Sequence, residues 1–511
     1  MTTAESVSNQ QMKKGAILTV MLLGSFEAIL NQTLMNVALP EMMEDLHISA
    51  NTAQWLSTGY MLVNGVLIPV TAFLIERFTT RQLYLIAMGL FSIGTLICAL
   101  SPTFTILLTG RVVQAAGAGI LMPLLMMVIL TIFPITKRGQ VMGLIGLAMT
   151  FAPAIGPTLS GWIVQNYSWR ILFYIVLPIA AIDFIIAIIL LKNVTDQSYP
   201  NIDLVGIVLS TLGFGGLLYG FSSAGNSGWG SFEVIVSILV GVMALALFIW
   251  RQMRADHQML EFRVFKYNMF TLTTIINVII TMAMFAGMIL VPIYLQTIRG
   301  FTPLESGFLL LPGAILMGIM SPITGWIFDR VGARWLSIIG LAITTVTTWE
   351  FSELTDSTAY TFLLLIYTAR MFGMSLLMMP IMTAGLNQLP QRLNAHGTAM
   401  SNTFKQISGA LGTAFLVTVM SNQTEKHVTE LATASGITSD AKQQMALIVK
   451  EATIKGINDA FVVATGFSLL AVILAFFIKR VKPEEDERQE TIKRQKIEPH
   501  KLALNERLSE T

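Results

Sequence analysis

The 511-residue chain is 54% hydrophobic and only 12% charged, with a mean hydropathy of +0.68, against roughly 25% charged residues in an ordinary soluble domain. A net charge of +2, with no basic stripe interleaved with aromatics, excludes a nucleic-acid partner. Cys98 is the single cysteine and lies in an apolar run, which excludes a disulfide framework and a cysteine metal site.

A membrane span needs roughly 20 mostly apolar residues. Residues 1–14 are polar and end in Lys13 and Lys14, and the apolar run after them is too long for a signal-peptide core, so it reads as a retained first span. In chain order the expected spans are 16–38, 53–75, 82–101, 105–132, 140–165, 170–192, 203–223, 233–251, 269–297, 305–328, 335–352, 359–386, 396–420 and 457–479. Lys and Arg concentrate on one side: Lys13, Lys14, Arg77, Arg81, Lys137, Arg138, Arg251, Arg254, Arg330, Arg334 and Lys479 among them. The other side holds Arg170 and Arg299. The positive-inside rule then places both termini in the cytoplasm of a multi-pass protein of the cell membrane.

Two expected segments lie outside the bilayer: a mixed-charge, Ala-rich outer connection at 421–456, read as a helical hairpin, and a charged tail at 481–511. Residues 69–81, PVTAFLIERFTTR, recur as residues 322–334, PITGWIFDRVGAR, at a constant offset of 253 residues. Pro69, Thr71, Arg77 and Arg81 meet identical residues and Glu76 meets Asp329. The copies are eight spans apart, so the repeat is parallel, one of the architectures of transporters. The expected fold is therefore an all-α integral membrane protein of 14 transmembrane helices. It comprises a cytoplasmic N-terminus (1–14), a six-helix bundle (15–195), two inserted helices (196–256) and a second, pseudo-symmetric six-helix bundle (257–480) carrying the outer loop.

These residues resemble the fourteen-helix drug:proton antiporter branch of the major facilitator superfamily, over nearly all of 15–480. The cluster after the second span is similar to that superfamily's loop signature, with Ala72 and Thr79 where the pattern has Gly and Glu76 where it has Asp. The second copy, with Gly325, Asp329, Arg330, Gly332 and Arg334, is nearer the pattern. APAIGPTLSG at 152–161 is similar to the motif of the exporters, and Arg111, Gln114 and Gly117 match R-x-x-Q-x-x-G. LNQTLMNVALP at 30–40 most resembles the lincomycin-resistance type of multidrug exporter. The resemblance implies that Glu76, Arg77, Arg81, Gly325, Asp329, Arg330 and Arg334 form a cytoplasmic gate. It also implies that Pro153, Gly156, Pro157 and Gly161 form the antiporter motif, whose other reading is a purely structural kink. Exporters of this branch usually place an Asp where Asn31 stands, paired with the motif Arg.

Ionisable residues at bilayer depth cost roughly 2.5–3.5 kcal/mol each, which makes them functional candidates. Here they are Glu27, Arg111, Asp183, Arg370 and Lys405, with the polar residues Asn31 and Gln32. Glu27 is one helical turn from Asn31 on the same face, and Arg111 enters from the same side of the membrane, so a Glu27–Arg111 pair is expected. A carboxyl group that alternates between apolar surroundings and a guanidinium neighbour holds its proton in the first and yields it in the second. Glu27, Arg111 and Asp183 are thus the candidate proton-coupling residues, with a fixed Glu27–Arg111 pair and a packing role for Asp183 as the alternatives. Asn31, Gln32, Gln114, Met122, Arg370, Met374, Met378 and Lys405 are the candidate substrate cavity, since methionine adapts to ligands of different shape. Lipid-facing methionines and a snorkelling Lys405 are the plainer readings.

No H-E-x-x-H, G-x-S-x-G or phosphate-loop pattern occurs, so the chain does not read as an enzyme or a nucleotide-driven pump, and no cofactor is expected. The expected function is a proton-motive-force-driven antiporter, monomeric in lipid, that exports small amphipathic compounds, lincosamide-like or other drugs, by alternating access. The alternative is an exporter of a native lipid, lipopeptide or signalling amphipath.

Overall fold

Within a bilayer no water reaches the backbone, so an apolar chain pairs its peptide groups inside helices or a closed barrel. The computed structural model describes residues 2–194, 197, 203–255, 258–435 and 442–479, and among these residues there is no strand. The first half contains α1 (Thr2–Asp45), α2 (Ala50–Arg77), α3 (Thr80–Ala99), α4 (Phe104–Ile132), α5 (Ile135–Asn166) and α6 (Arg170–Leu190). Then come α7 (Leu204–Ser227) and α8 (Phe232–Arg254). The second half contains α9 (Asn268–Ile293), α10 (Pro303–Val331), α11 (Ala333–Glu350), α12 (Tyr360–Ser375), α13 (Met378–Leu386), α14 (Asn394–Ser435) and α15 (Lys442–Ala475). A π-helical stretch, Tyr294–Ile298, prolongs α9, and only a turn at Leu376 and Leu377 separates α12 from α13.

The expected spans fall on these helices, that at 359–386 on α12 and α13 together, and twelve stretches among the described residues are long and apolar enough to cross a membrane. The two outside that set are α11 and α14. The first is 18 residues long and carries Arg334, four threonines and Glu350. In α14 the apolar run is broken by Ser401, Asn402, Lys405, Gln406 and Ser408. Polar residues on a helix that faces protein on several sides lower its hydropathy without exposing it to lipid.

One packing scheme serves both halves. In the first, α1 packs on α5 and α6, α3 on α4 and α6, and α2 on α4; in the second, α9 packs on α14 and α15, α11 on α12 and α15, and α10 on α12. Small residues set the closest crossings, as where Gly340 of α11 meets the Gly373 carbonyl of α12. The halves meet along two seams, α5 against α10 and α2 against α14. Helix α7 lies along the second seam. Gly65 of α2 faces Leu218, Trp55 stacks on Tyr219 at 5.7 Å, and Trp229 beyond α7 donates to Thr418 Oγ1 of α14 at 2.7 Å. Outside it, α8 leaves Phe232, Met243 and Met253 exposed.

The end opposite the basic loops is stapled within each half by the two arginines found there. Arg170 donates to Asp45 at 2.7 Å and to the Ser101 carbonyl at 3.0 Å, while Arg299 donates to the Thr358 carbonyl. The Arg170 and Trp169 donors hold the Asp45 carboxyl below the usual carboxylate range. The expected outer connection is helical on both arms, where His427 of α14 lies 2.9 Å from Asp459 of α15. Residues 436–441 and the expected tail at 481–511 lie outside the described residues.

Candidate functional site

Arg111 is fully buried in α4. Its Nη1 donates to Asn31 Oδ1 and to Gln114 Oε1, both at 2.7 Å, and its Nε donates to the Leu56 carbonyl at 3.4 Å. The guanidinium lies over the Tyr60 ring, 4.1 Å from the centroid. Gln114, three residues along the same helix face, passes the network on by donating to Thr95 Oγ1 of α3 at 2.7 Å. One cation thus ties α1, α2, α3 and α4 together through neutral acceptors. The expected Glu27–Arg111 pair is not formed, because the amide of Asn31 occupies that partner position.

Glu27 turns instead toward α3 and α6. Both of its carboxyl oxygens are buried without a hydrogen-bond partner, and Asp183 of α6 is near enough for the two charges to oppose each other. Tyr84 of α3 donates to Asp183 Oδ2 at 2.6 Å, while Asp183 Oδ1 has no partner. A side chain at Gly24, one turn before Glu27, would put its Cβ 2.3 Å from the Tyr84 hydroxyl and 3.2 Å from Asp183 Oδ2, so the glycine makes room for the cluster. Tyr84 carries no signal in the sequence, where it is one aromatic among many in an apolar run.

In the second half Arg370 of α12 is also fully buried; its Nη2 donates to the Ala283 carbonyl at 2.9 Å and its Nε to Thr348 Oγ1 at 3.3 Å. It donates to α9 and α11, whereas Arg111 reaches α1 and α2 directly and α3 through Gln114.

The two seams close at the basic end. On one, Asp329 at the foot of α10 accepts from the backbone N–H groups of Gly139 and Gln140, at 2.8 and 2.9 Å, in the first turns of α5. This is the position where a helix N-terminus favours an anion. Gly325 allows the approach: a Cβ there would lie 2.1 Å from the Gly139 carbonyl oxygen. Beside it, Arg138 donates to Asn387 Oδ1 at 3.0 Å. On the other seam, Glu76 at the foot of α2 lies 2.9 Å from His396 Nε2 near the start of α14. His396 Nδ1 accepts from the Glu261 N–H at 3.3 Å, which leaves the proton on Nε2 to donate to Glu76. Among the remaining expected gate arginines, Arg81, Arg330 and Arg334 make contacts within their own half. Arg81 donates to the Ile188 carbonyl at 2.6 Å, and Arg330 and Arg334 lie over Trp326 and Trp335; Arg77 closes α2.

Above the seams a cavity of about 370 Å³ opens between α5, α9, α10, α12, α13 and α14. Seven methionines line it, namely Met149, Met284, Met288, Met317, Met371, Met378 and Met379, with Tyr367, Pro153 and Lys405. Of the expected cavity residues only Met378 and Lys405 are among the lining. Asn31, Gln114 and Arg370 are internal to their halves, Met374 is core, Met122 packs against the core of the first half, and Gln32 is half-buried away from the cavity. Spacing marks a methionine as helical without revealing which way its face is turned, so the wall from α9 and α10 was missed.

The exporter-like segment of α5 is a joint with α1. Gly156 packs on Thr33, where a Cβ would lie 2.3 Å from Oγ1, and Ser160 donates to the Leu34 carbonyl at 2.6 Å. Gly161, expected to serve close packing, meets nothing within 4 Å, and α5 continues as helix past Pro153 and Pro157 to Asn166. Among the described residues no group of His, Cys, Asp and Glu could hold a metal ion.

The family model described as Major Facilitator Superfamily matches residues 21–413. The chain is 50% identical over 499 residues to an uncharacterised MFS-type transporter, YhcA, of Bacillus subtilis (strain 168), covering 92% of this chain and 94% of that one. It is 42% identical over 483 residues to the lincomycin resistance protein LmrB of the same organism, covering 94% and 98%. Among solved structures it is similar to the MFS proton:xylose symporter XylE, with TM-score 0.60 at 12% identity over 93% of this chain and 98% of that one.

Proposed function

The chain belongs to the Major Facilitator Superfamily, as a transporter and not an enzyme, and we propose that it exports small amphipathic drugs, lincosamide-like or other compounds, in exchange for protons. The observation that carries this reading is the methionine-lined cavity between the halves, sealed at the basic end by the Asp329 and Glu76 latches. Methionine side chains repack around ligands of different shape, which suits a multidrug site. The similarity to a lincomycin resistance protein supports drug export.

In this reading fourteen helices cross the cell membrane, two of them inserted between six-helix bundles related by the parallel repeat. The basic end and both termini face the cytoplasm. The conformation is the one closed to the cytoplasm, and export requires both latches to break and reform. No cofactor takes part, the driving force is the proton motive force, and the transporting unit is a monomer.

Glu27 and Asp183 carry the proton. One proton between them removes the opposition of two buried charges, and its loss restores that opposition. The strain falls on α1 and α6, and α1 passes it to α5 through Thr33, Leu34, Gly156 and Ser160. Since α5 is both a wall of the cavity and one side of a latched seam, proton occupancy and gate position are linked without proton and drug sharing a site. One proton at about 2.3 kcal/mol per 100 mV supports roughly a fifty-fold gradient of a neutral substrate from voltage alone.

The test is a resistance profile in a drug-sensitive bacterial strain. Expression of the chain raises resistance to several structurally unrelated amphipaths, and Glu27→Gln at equal abundance in the membrane removes the protection. Unchanged sensitivity to every compound, with substrate-stimulated proton flux seen only for lipids, would replace drugs by a native lipid, lipopeptide or signalling amphipath.

A further inference from the structure

We propose that the central cavity selects amphipaths bearing a negative charge, with Lys405 of α14 as the residue that binds the anionic group. The inference rests on the reading of this cavity as the substrate site and concerns what it accepts.

Among the twenty lining residues Lys405 is the only charged one. Its ammonium makes no hydrogen bond or ion pair with a described residue. The two other cations at this depth, Arg111 and Arg370, are fully buried and donate inside their own halves, so neither lines the cavity, and their charge has the same sign. No acid lines the cavity, and Glu27 and Asp183 lie between α1, α3 and α6. The field a ligand meets is therefore positive, with Lys405 the one charge at the wall, set among thioethers and alkyl groups.

A lone ammonium in such surroundings is unfavourable unless a counter-ion joins it, and an anionic ligand supplies that counter-ion on entry. The apolar walls strengthen the attraction over its value in water. Hydroxyl groups of Thr158, Ser321 and Tyr367 also border the space and can donate to carboxylate, sulfonate or phosphate oxygens. A cationic amphipath of the same shape would meet a like charge with no carboxylate to offset it. The volume of about 370 Å³ falls in the range of sites that hold a drug-sized amphipath.

The deciding experiment uses two ions of nearly identical shape and opposite charge, tetraphenylborate and tetraphenylphosphonium, in equilibrium dialysis against the purified full-length protein in detergent. Wild type is expected to bind the borate at least about tenfold more tightly than the phosphonium. Lys405→Met, which replaces a cation by a residue the cavity already uses, abolishes the difference, and Lys405→Arg keeps it. Thermal unfolding confirms that each variant is folded, and the Arg variant keeps the charge test intact if the Met variant is not. Equal or inverted preference in wild type, or a preference that survives in Lys405→Met, overturns the proposal. A cavity-filling change, Ala314→Trp, separates the two levels of failure. If it expels both ions while neither is preferred, only the charge selectivity is wrong; if it displaces neither, the cavity is not the binding site and the reading beneath the proposal falls as well.

Discussion

Arg111 is held by an amide, an amide and a carbonyl, with a phenol ring beneath it and one nitrogen, Nη2, left without an acceptor. Neutral acceptors orient the guanidinium without neutralising it, so a carboxylate at Asn31 should bind it more strongly. Asn31→Asp is expected to raise the unfolding temperature in detergent, while Gln114→Leu lowers stability by about 2 kcal/mol through the lost charge-assisted bond. A lower melting temperature for Asn31→Asp would mean that the site does not hold a charged Arg111. The same geometry decides what happens to the proton. Glu27→Gln should abolish drug-triggered proton release, and adding Asn31→Asp should not restore it, because Arg111 would keep the new carboxylate ionised. Recovery of release in the double variant would return the proton site to Asn31 and Arg111. At the surface, Asp45 is held below the usual carboxylate range by Arg170, so its contribution to stability is complete above its unfolded value and lost as pH falls through the lower folded one. Asp45→Asn should therefore destabilise at pH 7 and have progressively less effect below about pH 4. A temperature shift independent of pH would show that the Asp45 contacts act through shape alone.

Among the elements, α5 has the largest part, since it touches α1 through Gly156, lines the cavity through Met149 and Pro153, and closes a seam through Gly139. Gly325→Val should force α10 from α5, because a Cβ already falls 2.1 Å from the Gly139 carbonyl oxygen. The expected result is labelling of a cysteine placed at Ser321 by a membrane-impermeant maleimide from the cytoplasmic side, together with loss of export. An unlabelled Ser321→Cys, Gly325→Val protein would show that the seam tolerates the wedge. Much of this element level was legible in the sequence. Apolar length located most of the helices, although α11 and α14 are not apolar enough to count as spans by that measure, and the copies at 69–81 and 322–334 fall at the feet of α2 and α10, where Glu76 and Asp329 meet the facing half. Their partners were not legible, because His396 and the N–H groups of Gly139 and Gln140 belong to helices distant in the chain, and a backbone donor leaves no mark in the sequence. Gly161, read as a close-packing glycine, meets nothing within 4 Å, and Arg81 bonds to the Ile188 carbonyl, because a motif gives residue type and position but not the neighbour a side chain meets.

At the scale of the whole molecule, the parallel repeat read from 13 residues reappears as one packing scheme in the two halves. The cavity was not readable in this way, since it is the space left by helix faces whose rotation depends on packing partners. That is why Met122 and Met374 were expected in it and Met284, Met288 and Met317 were not. The account separates the proton, inside the first half, from the drug, between the halves, and links them through α1 and α5. The direct measurement is made on everted membrane vesicles energised by respiration, from cells lacking their own drug pumps and expressing this chain. The internal acidity is followed by quenching of an acridine dye while a transported drug is added. The account predicts that the drug enters the vesicles, that quenching reverses as protons leave, and that Glu27→Gln vesicles show neither although the purified variant still binds the drug. Drug uptake that continues after an uncoupler has collapsed the gradient, with no proton movement on addition of drug, would contradict it.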